Sequence, residues 1–196
     1  MSDEEQKNAE HKAAMQALKA ERDAMMAEKV DAPGLLLVHT GDGKGKSTAA
    51  FGMVARALGW NQKVGIVQYI KGKWITGERQ FFKRFPESVR YEVMGQGFTW
   101  DTQDRARDIE AAEAAWKTSV EMLHDPDLDL VLLDELNIAL RYDYLDIDKV
   151  VADLKARPRD KHVVITGRNA KPQLIEIADL VTEMTLVKHP FEQGIK

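Results

Sequence analysis

The chain has 196 residues and a mass of 22.1 kDa, enough for one domain that buries roughly 70% of its unfolded surface. It contains no cysteine, which excludes disulfides, thiolate metal ligands and a cysteine nucleophile. Its formal net charge of -4 argues against a dedicated nucleic-acid binder, which usually carries a basic face. No stretch approaches the ~20 apolar residues that span a bilayer, and the charged N-terminus lacks a secretory signal's apolar segment. We therefore expect a cytoplasmic protein that binds neither a membrane nor nucleic acid.

The N-terminal segment, residues 1–31, differs in composition from the rest of the chain. It is rich in Ala, Glu, Lys and Met and has no glycine or aromatic residue, which predicts a helix. Its apolar side chains form a thin, interrupted stripe of Met15, Leu18, Met25 and Met26. Two interpretations are open: a solvated helical tail, or a mobile lid whose stripe closes over a ligand.

Residues 32–196 form the second predicted domain, in which short β-branched runs alternate with helical stretches. Apolar runs without strict alternation predict strands covered on both faces, and regular strand–helix alternation predicts a mostly parallel sheet. The expected fold class is therefore α/β, with helices on both faces of the sheet. The predicted strands are 35–39, 64–69, 89–94, 128–134, 162–166 and 181–187, and the predicted helices are 46–58, 78–85, 103–123, a split region over 135–156, and 172–178.

A glycine-rich turn joins the first predicted strand of this domain to its first helix. Glycines let the backbone fold tightly, so that successive N–H groups point at one anion, and the helix N-terminus adds partial positive charge. Lys46 is placed to bind phosphate oxygens, and the Ser47 hydroxyl is placed to bind Mg²⁺. One position departs from the usual spacing, which would put a glycine where this chain has Thr40. The predicted ATP-binding residues are Thr40, Gly41, Asp42, Gly43, Lys44, Gly45, Lys46, Ser47 and Thr48. The alternative is a glycine-rich strand–helix turn with no ligand.

Two carboxylates, Asp134 and Glu135, follow another apolar run, residues 130–133. The run predicts a buried strand that delivers them to the carboxyl edge of the sheet, where open α/β folds bind ligands. A carboxylate at this position can hold Mg²⁺ directly or through water. An alternative role for this pair is that of an acid at the N-terminus of the following helix. Beside the phosphate loop, we predict a metal role for at least one of the two.

Two further loops follow predicted strands, over residues 68–79 and 94–103. Phe98 and Trp100 in the second loop are unusually apolar for an exposed segment, so they either fold back onto the core or contact a ligand. No Ser/His/Asp constellation stands out, and no pair of histidines has zinc-binding spacing. The residues therefore indicate ATP with Mg²⁺ and leave the reaction open.

Taken together, six motifs resemble the bacterial P-loop type of ATP:corrinoid adenosyltransferase, in the same order along the chain. The resemblance covers residues 34–196, and it also explains Thr40, because the family has this shortened glycine pattern. It implies a P-loop NTPase-like, RecA-like fold. The implied reaction moves the 5′-deoxyadenosyl group of ATP to the Co(I) of a reduced corrinoid, releasing triphosphate and forming adenosylcobalamin in cobalamin biosynthesis and salvage. The motifs are Thr40-Gly-Asp-Gly-Lys-Gly-Lys-Ser-Thr48, Tyr69-Ile-Lys-Gly-Lys-Trp74, Gly77-Glu-Arg79, Gly97-Phe-Thr-Trp100, Leu133-Asp-Glu-Leu136 and Ile165-Thr-Gly-Arg168.

The same resemblance implies roles for individual residues and partners. Lys46 and Glu135 are the implied catalytic residues, which stabilise the triphosphate leaving group, with Mg²⁺ held by Ser47 and Glu135. Phe98 and Trp100 are implied to crowd the lower face of the corrin and keep it dry. The N-terminal helix is implied to cover the corrinoid site. A reduced flavoprotein such as flavodoxin is the implied electron donor, and a homodimer is the implied assembly.

Two other functions use the same nucleotide site. A P-loop kinase or NTPase would act on the γ-phosphate. A RecA-like, ATP-driven nucleic-acid-binding module would need a basic groove, and it usually also needs a partner's arginine. A modest basic cluster could serve that purpose, and its members are Lys71, Lys73, Arg79, Lys83 and Arg84.

Overall fold

A computed structural model describes residues 2–30, 34–69, 75–93 and 104–195 and divides the chain into two units, Met1–Ala32 and Pro33–Lys196. The first unit holds helix α1, Asp3–Ala27. The Ser2 hydroxyl accepts a hydrogen bond from the Glu5 N–H, and the Glu5 carboxylate accepts one from the Ser2 N–H. This capping box, with three acids in the first turn, favours a helix start at this point. None of the described residues of α1 is buried.

The second unit is built on six parallel strands, in the order β3-β2-β4-β5-β1-β6. The predicted mostly parallel α/β sheet is therefore confirmed. The strands are β1 (Leu36–Thr40), β2 (Val64–Gln68), β3 (Val89–Val93), β4 (Leu130–Asp134), β5 (His162–Thr166) and β6 (Leu180–Glu183). The helices among the described residues are α2 (Lys46–Gly59), α3 (Gly77–Phe82), α4 (Arg105–His124), α5 (Leu136–Arg141), α6 (Ile147–Ala156) and α7 (Pro172–Ile177), followed by a 3₁₀ turn (Pro190–Gln193).

Helices cover both faces of this sheet, as the sequence predicted. In β4, Leu130 and Leu132 pack with α2 and α3 on one face, whereas Val131 and Leu133 pack with α4 to α7 on the other. Because successive side chains of a strand point to opposite faces, a strand buried on both sides must be apolar throughout. The central strands therefore lack the alternation that a one-sided sheet would show.

Strand β6 is shorter than predicted, ending at Glu183 and not at position 187. The Met184 N–H still donates to the Thr40 carbonyl, at 2.9 Å, but β1 ends at Thr40 and turns into the phosphate loop. Strand β6 therefore ends where the β1 residues that pair with it end.

The split predicted within 135–156 is confirmed, since α5 ends at Arg141 and α6 begins at Ile147. Within residues 2–30, 34–69, 75–93 and 104–195, no helix is both long and apolar enough to cross a membrane.

Candidate nucleotide site

The phosphate loop, residues 40–48, lies against the segment that follows β6. The Gly43 N–H donates to the Met184 carbonyl at 2.6 Å. A Cβ on Gly43 would lie 2.7 Å from the Met184 and Thr185 carbonyl oxygens, and Gly41, at φ +90°, is equally restricted. Real Cβ contacts are essentially never this close, so packing by itself requires glycine at these positions. Gly45 has a different reason, because its φ of +104° favours glycine while its Cβ position is nearly open.

Lys46 is the first residue of α2, and its side chain is buried at 7% exposure. Its ammonium donates to the Gly43 carbonyl. Burial lowers the pKa of Lys46, Glu135 and Asp42 raise it, and Arg168 lowers it further by charge repulsion. The lysine therefore lies among charges of both signs, next to the loop that the sequence predicts to bind phosphate.

Asp134 ends β4 and is fully buried. Its Oδ2 accepts a hydrogen bond from the Gln68 amide and its Oδ1 accepts one from the Thr166 hydroxyl, both at 2.8 Å. Gln68 ends β2 and Thr166 ends β5, the two strands that flank β4. The carboxylate therefore ties together the carboxyl ends of three neighbouring strands.

Glu135 follows immediately, with a left-handed backbone at φ +64°. Its N–H donates to the Thr166 hydroxyl at 2.9 Å. Glu135 occupies the N-cap position of α5, and its side chain makes no capping hydrogen bond to that helix. Its position still agrees with the alternative of an acid at a helix N-terminus, so both predicted roles of Glu135 stay open. A Cβ on Gly167 would lie 3.2 Å from Glu135 Oε2, which places this carboxylate against the loop after β5.

The loop after β5 also reaches the phosphate loop, and the sequence analysis assigned none of its residues to the site. Arg168 Nε lies 4.0 Å from Asp42 Oδ1. The Thr40 hydroxyl accepts a hydrogen bond from the Ala170 N–H at 3.0 Å. The sequence analysis used Arg168 only as part of the Ile165–Arg168 motif that resembles the family. Its position just after the end of β5 could have identified it as a site residue.

The remaining predicted residues divide into three groups. Ser47 is half-buried at the start of α2, next to Lys46, while Asp42, Lys44 and Thr48 are exposed. Phe98 and Trp100 lie outside the described residues, so their corrinoid role stays a prediction. In the parts of the chain that the structure describes, no group of three or more His, Cys, Asp or Glu side chains is arranged to hold a metal ion.

A family model described as "ATP:corrinoid adenosyltransferase BtuR/CobO/CobP" matches residues 32–196. The chain belongs to this family. It is 59% identical over 196 residues to a corrinoid adenosyltransferase of Pseudomonas aeruginosa, covering 100% of this chain and 97% of that protein. It is also 47% identical over 181 residues to a corrinoid adenosyltransferase of Escherichia coli K12, covering 92% of this chain and 91% of that protein.

A solved structure resembles the fold alone. The flagellar accessory protein FlaH from Methanocaldococcus jannaschii matches with a TM-score of 0.50 and 12% identity, over 83% of this chain and 76% of that one. This likeness agrees with the α/β fold class that the parallel sheet shows. Membership of the adenosyltransferase family confirms the predicted enzyme class and its activity, the ATP-dependent adenosylation of a corrinoid. The kinase, NTPase and nucleic-acid alternatives are set aside on the same ground.

Proposed function

We propose that this adenosyltransferase binds MgATP at the phosphate loop and presents the 5′ carbon of ATP to the Co(I) of a reduced corrinoid. The cobalt–carbon bond forms as the bond between that carbon and the triphosphate oxygen breaks. Co(I) supplies the electron pair and carries no proton, so the reaction needs no general base. The main support is Lys46, which is buried beside the loop with Glu135 and Arg168 as charged neighbours.

The leaving group is the part of the reaction that the described residues are suited to stabilise. Negative charge develops on triphosphate as the carbon–oxygen bond breaks, and preorganised donors stabilise such charge best. We assign this role to Lys46, to the N-terminus of α2 and to the loop amides after Gly43. The Gly43 amide is excluded from this set because it donates to the Met184 carbonyl.

Ser47 and Glu135 are the proposed protein ligands of Mg²⁺. This ion usually keeps several waters and takes one or two protein ligands besides phosphate oxygens, so it needs no larger acidic cluster. Both Asp134 oxygens accept hydrogen bonds from flanking strands, which supports Glu135 as the direct ligand and Asp134 as its structural support. When bound, Mg²⁺ would neutralise part of the triphosphate charge.

The corrinoid half of the site remains a proposal from the family resemblance. Phe98 and Trp100 would crowd the lower face of the corrin and keep water from the cobalt, which makes reduction to Co(I) easier. Strand β3 ends at Val93 at the same edge as the phosphate loop, so the chain enters this segment on the correct side of the sheet. We propose that α1 covers the bound corrinoid, with its apolar stripe as the contact surface.

The cellular setting is also proposed from the resemblance: a cytoplasmic homodimer that receives electrons from a reduced flavoprotein such as flavodoxin. Support for self-association comes from exposed apolar side chains at and after the edge strand β6, because monomers rarely expose large apolar patches. The molar mass by light scattering measures this association directly. These side chains are Leu180, Val181, Leu186, Val187 and Phe191.

Product analysis tests the reaction. The protein is incubated with MgATP and anaerobically reduced cob(I)alamin, and the corrin spectrum and inorganic product are both followed. We expect adenosylcobalamin and triphosphate in equal amounts, and the Lys46→Ala variant should lose this activity. ADP or single phosphate without alkylation of cobalt would contradict the proposal.

A matched pair of variants tests the assignment of the two acids. Glu135→Gln should raise the Mg²⁺ concentration that half-maximal turnover requires, while leaving the melting temperature near that of the parent. Asp134→Asn should instead lower the melting temperature, because one of its two acceptors becomes a donor facing Gln68 or Thr166. The opposite pattern would make Asp134 the metal ligand.

A further inference from the structure

Asn137 lies in the first turn of α5 and is fully buried, although it is polar. Its side-chain amide donates to the Gly167 carbonyl at 2.9 Å, which links α5 to the loop after β5. Its Oδ1 is buried with no hydrogen-bond partner among residues 2–30, 34–69, 75–93 and 104–195. A buried acceptor without a partner costs free energy, so packing alone would favour an apolar side chain of similar size.

The bond from Asn137 holds a backbone position that needs support. Gly167 has φ +127°, and a Cβ there would lie 2.8 Å from Asn137 Cβ. Glu135 has a left-handed backbone as well, and its carboxylate lies against the same glycine. Such backbone conformations persist when the surrounding contacts define them, and they concentrate at functional sites.

The two charged residues beside this contact border the phosphate loop. Arg168, the residue after Gly167, has its Nε 4.0 Å from Asp42 Oδ1 of that loop, and both Glu135 and Arg168 are charged neighbours of Lys46. Thr166 fixes the Glu135 backbone through the Glu135 N–H. Among the described residues, the hydrogen bond that holds Gly167 is the one from the Asn137 amide. Because Gly167 precedes Arg168, this bond sets the distance between Glu135 and Arg168.

We propose that Asn137 is a positioning residue for the nucleotide site. Its amide holds the Gly167 carbonyl and so keeps Glu135 and Arg168 at fixed positions beside Lys46, where the triphosphate binds. It acts through these neighbours and does not touch the nucleotide. This inference rests on the proposed phosphate site, and its test separates the two.

The experiment measures MgATP affinity by calorimetry on the full chain without corrinoid, together with the melting temperature and the KM for cob(I)alamin. Asn137→Leu keeps the number and branching of the side-chain heavy atoms and removes the donor. We expect MgATP to bind about 10- to 100-fold more weakly, because small displacements of positioned groups have effects of this size. The KM for cob(I)alamin should stay close to that of the parent.

Trp116→Phe is the matched control. Trp116 is 2% exposed, and its indole N–H donates to Asp153 Oδ2 at 2.8 Å, between α4 and α6 and outside the site. Trp116→Phe loses one hydrogen bond of a buried side chain, as Asn137→Leu does, and should lower the melting temperature without changing MgATP affinity. Equal losses of affinity in both variants would overturn the proposal, as would parental affinity in Asn137→Leu.

Asn137→Ala keeps the test decisive if the leucine variant does not fold. It removes the donor to the Gly167 carbonyl and adds neither charge nor bulk. MgATP should again bind about 10- to 100-fold more weakly with a parental KM for cob(I)alamin, and parental MgATP affinity would overturn the proposal. Failure of the parent protein to bind MgATP would instead remove the proposed phosphate site.

Discussion

Lys46 combines near-complete burial with close charged neighbours, and its protonation state links structure to binding. Burial lowers its pKa below 10.5 because the charged form loses hydration, and the partial compensation by Glu135 is opposed by Arg168. An arriving polyphosphate adds negative charge and favours the protonated lysine. Lys46 in the free protein therefore loses its proton at a lower pH than in the complex.

The affinity for inorganic triphosphate should fall as the pH rises through the lowered pKa of Lys46, and the fall should begin below pH 10.5. Between this lowered pKa and 10.5, the unfolded chain keeps a proton on Lys46 that the folded chain has lost. The contribution of Lys46 to the free energy of unfolding therefore increases as the pH rises. Calorimetry across this pH range measures the first effect. Lys46→Arg stays charged and should move the fall to higher pH; a flat affinity up to pH 10.5 would contradict the assignment.

The loop between β1 and α2 owes its conformation to a third element, the segment after β6. The Met184 N–H continues the ladder with β1, and its carbonyl then accepts from Gly43. At Gly43 the loop and this segment thus meet through backbone groups, with no room for a Cβ between them. The phosphate loop is therefore shaped by tertiary packing as well as by its own glycines.

Gly43→Ala should displace this loop, since its methyl group would meet the Met184 and Thr185 carbonyls at 2.7 Å. We expect MgATP affinity to fall by about tenfold or more, as measured by calorimetry. Gly52→Ala, within α2, is the control. Among the described residues, no atom beyond its chain neighbours and the backbone of its own helix lies within 4 Å of its Cβ position. This variant should gain about 0.5–1 kcal/mol in the free energy of unfolding measured with urea. Parental affinity in Gly43→Ala would show that the loop tolerates the displacement.

The chain as a whole consists of one unit with a core and one without. Both hydrophobic clusters lie in residues 33–196, whereas α1 buries none of its described side chains. Capping and helix propensity favour α1, but helical stability usually comes from packing of an apolar face. A helix of this kind is suited to fold against a ligand, as the lid proposal requires.

Removal of residues 1–30 should leave the melting temperature and MgATP affinity near parental values and raise the KM for cob(I)alamin. A full-length variant with Met15, Leu18, Met25 and Met26 changed to serine tests the stripe while keeping length and charge. It should raise the same KM, as measured in the adenosylation assay. Unchanged corrinoid kinetics in both proteins would make the segment a solvated tail.

Much of this structure was predictable because it depends on local features of the sequence. The apolar runs and glycine-rich turn located most strands and helices, and motif order was sufficient to indicate the family. The placement of Lys46 and Glu135 at one edge of the sheet was predictable because strand ends in a parallel sheet share that edge, and their roles stay predictions. The end of β6 was not, since it depends on where its partner β1 stops.

The sequence by itself determined the fold class, the glycine-rich turn between β1 and α2 and the family, because each depends on contiguous residues with a physical requirement. Only the tertiary structure decided the strand order, the different surroundings of Asp134 and Glu135, and the approach of Arg168 to Asp42. The hydrogen bonds of Gln68 with Asp134, of Glu135 with Thr166 and of Ala170 with Thr40 join residues 66, 31 and 130 positions apart in the chain. The local sequence pattern does not predict such pairings, because they depend on which strands become neighbours when both faces of the sheet are buried.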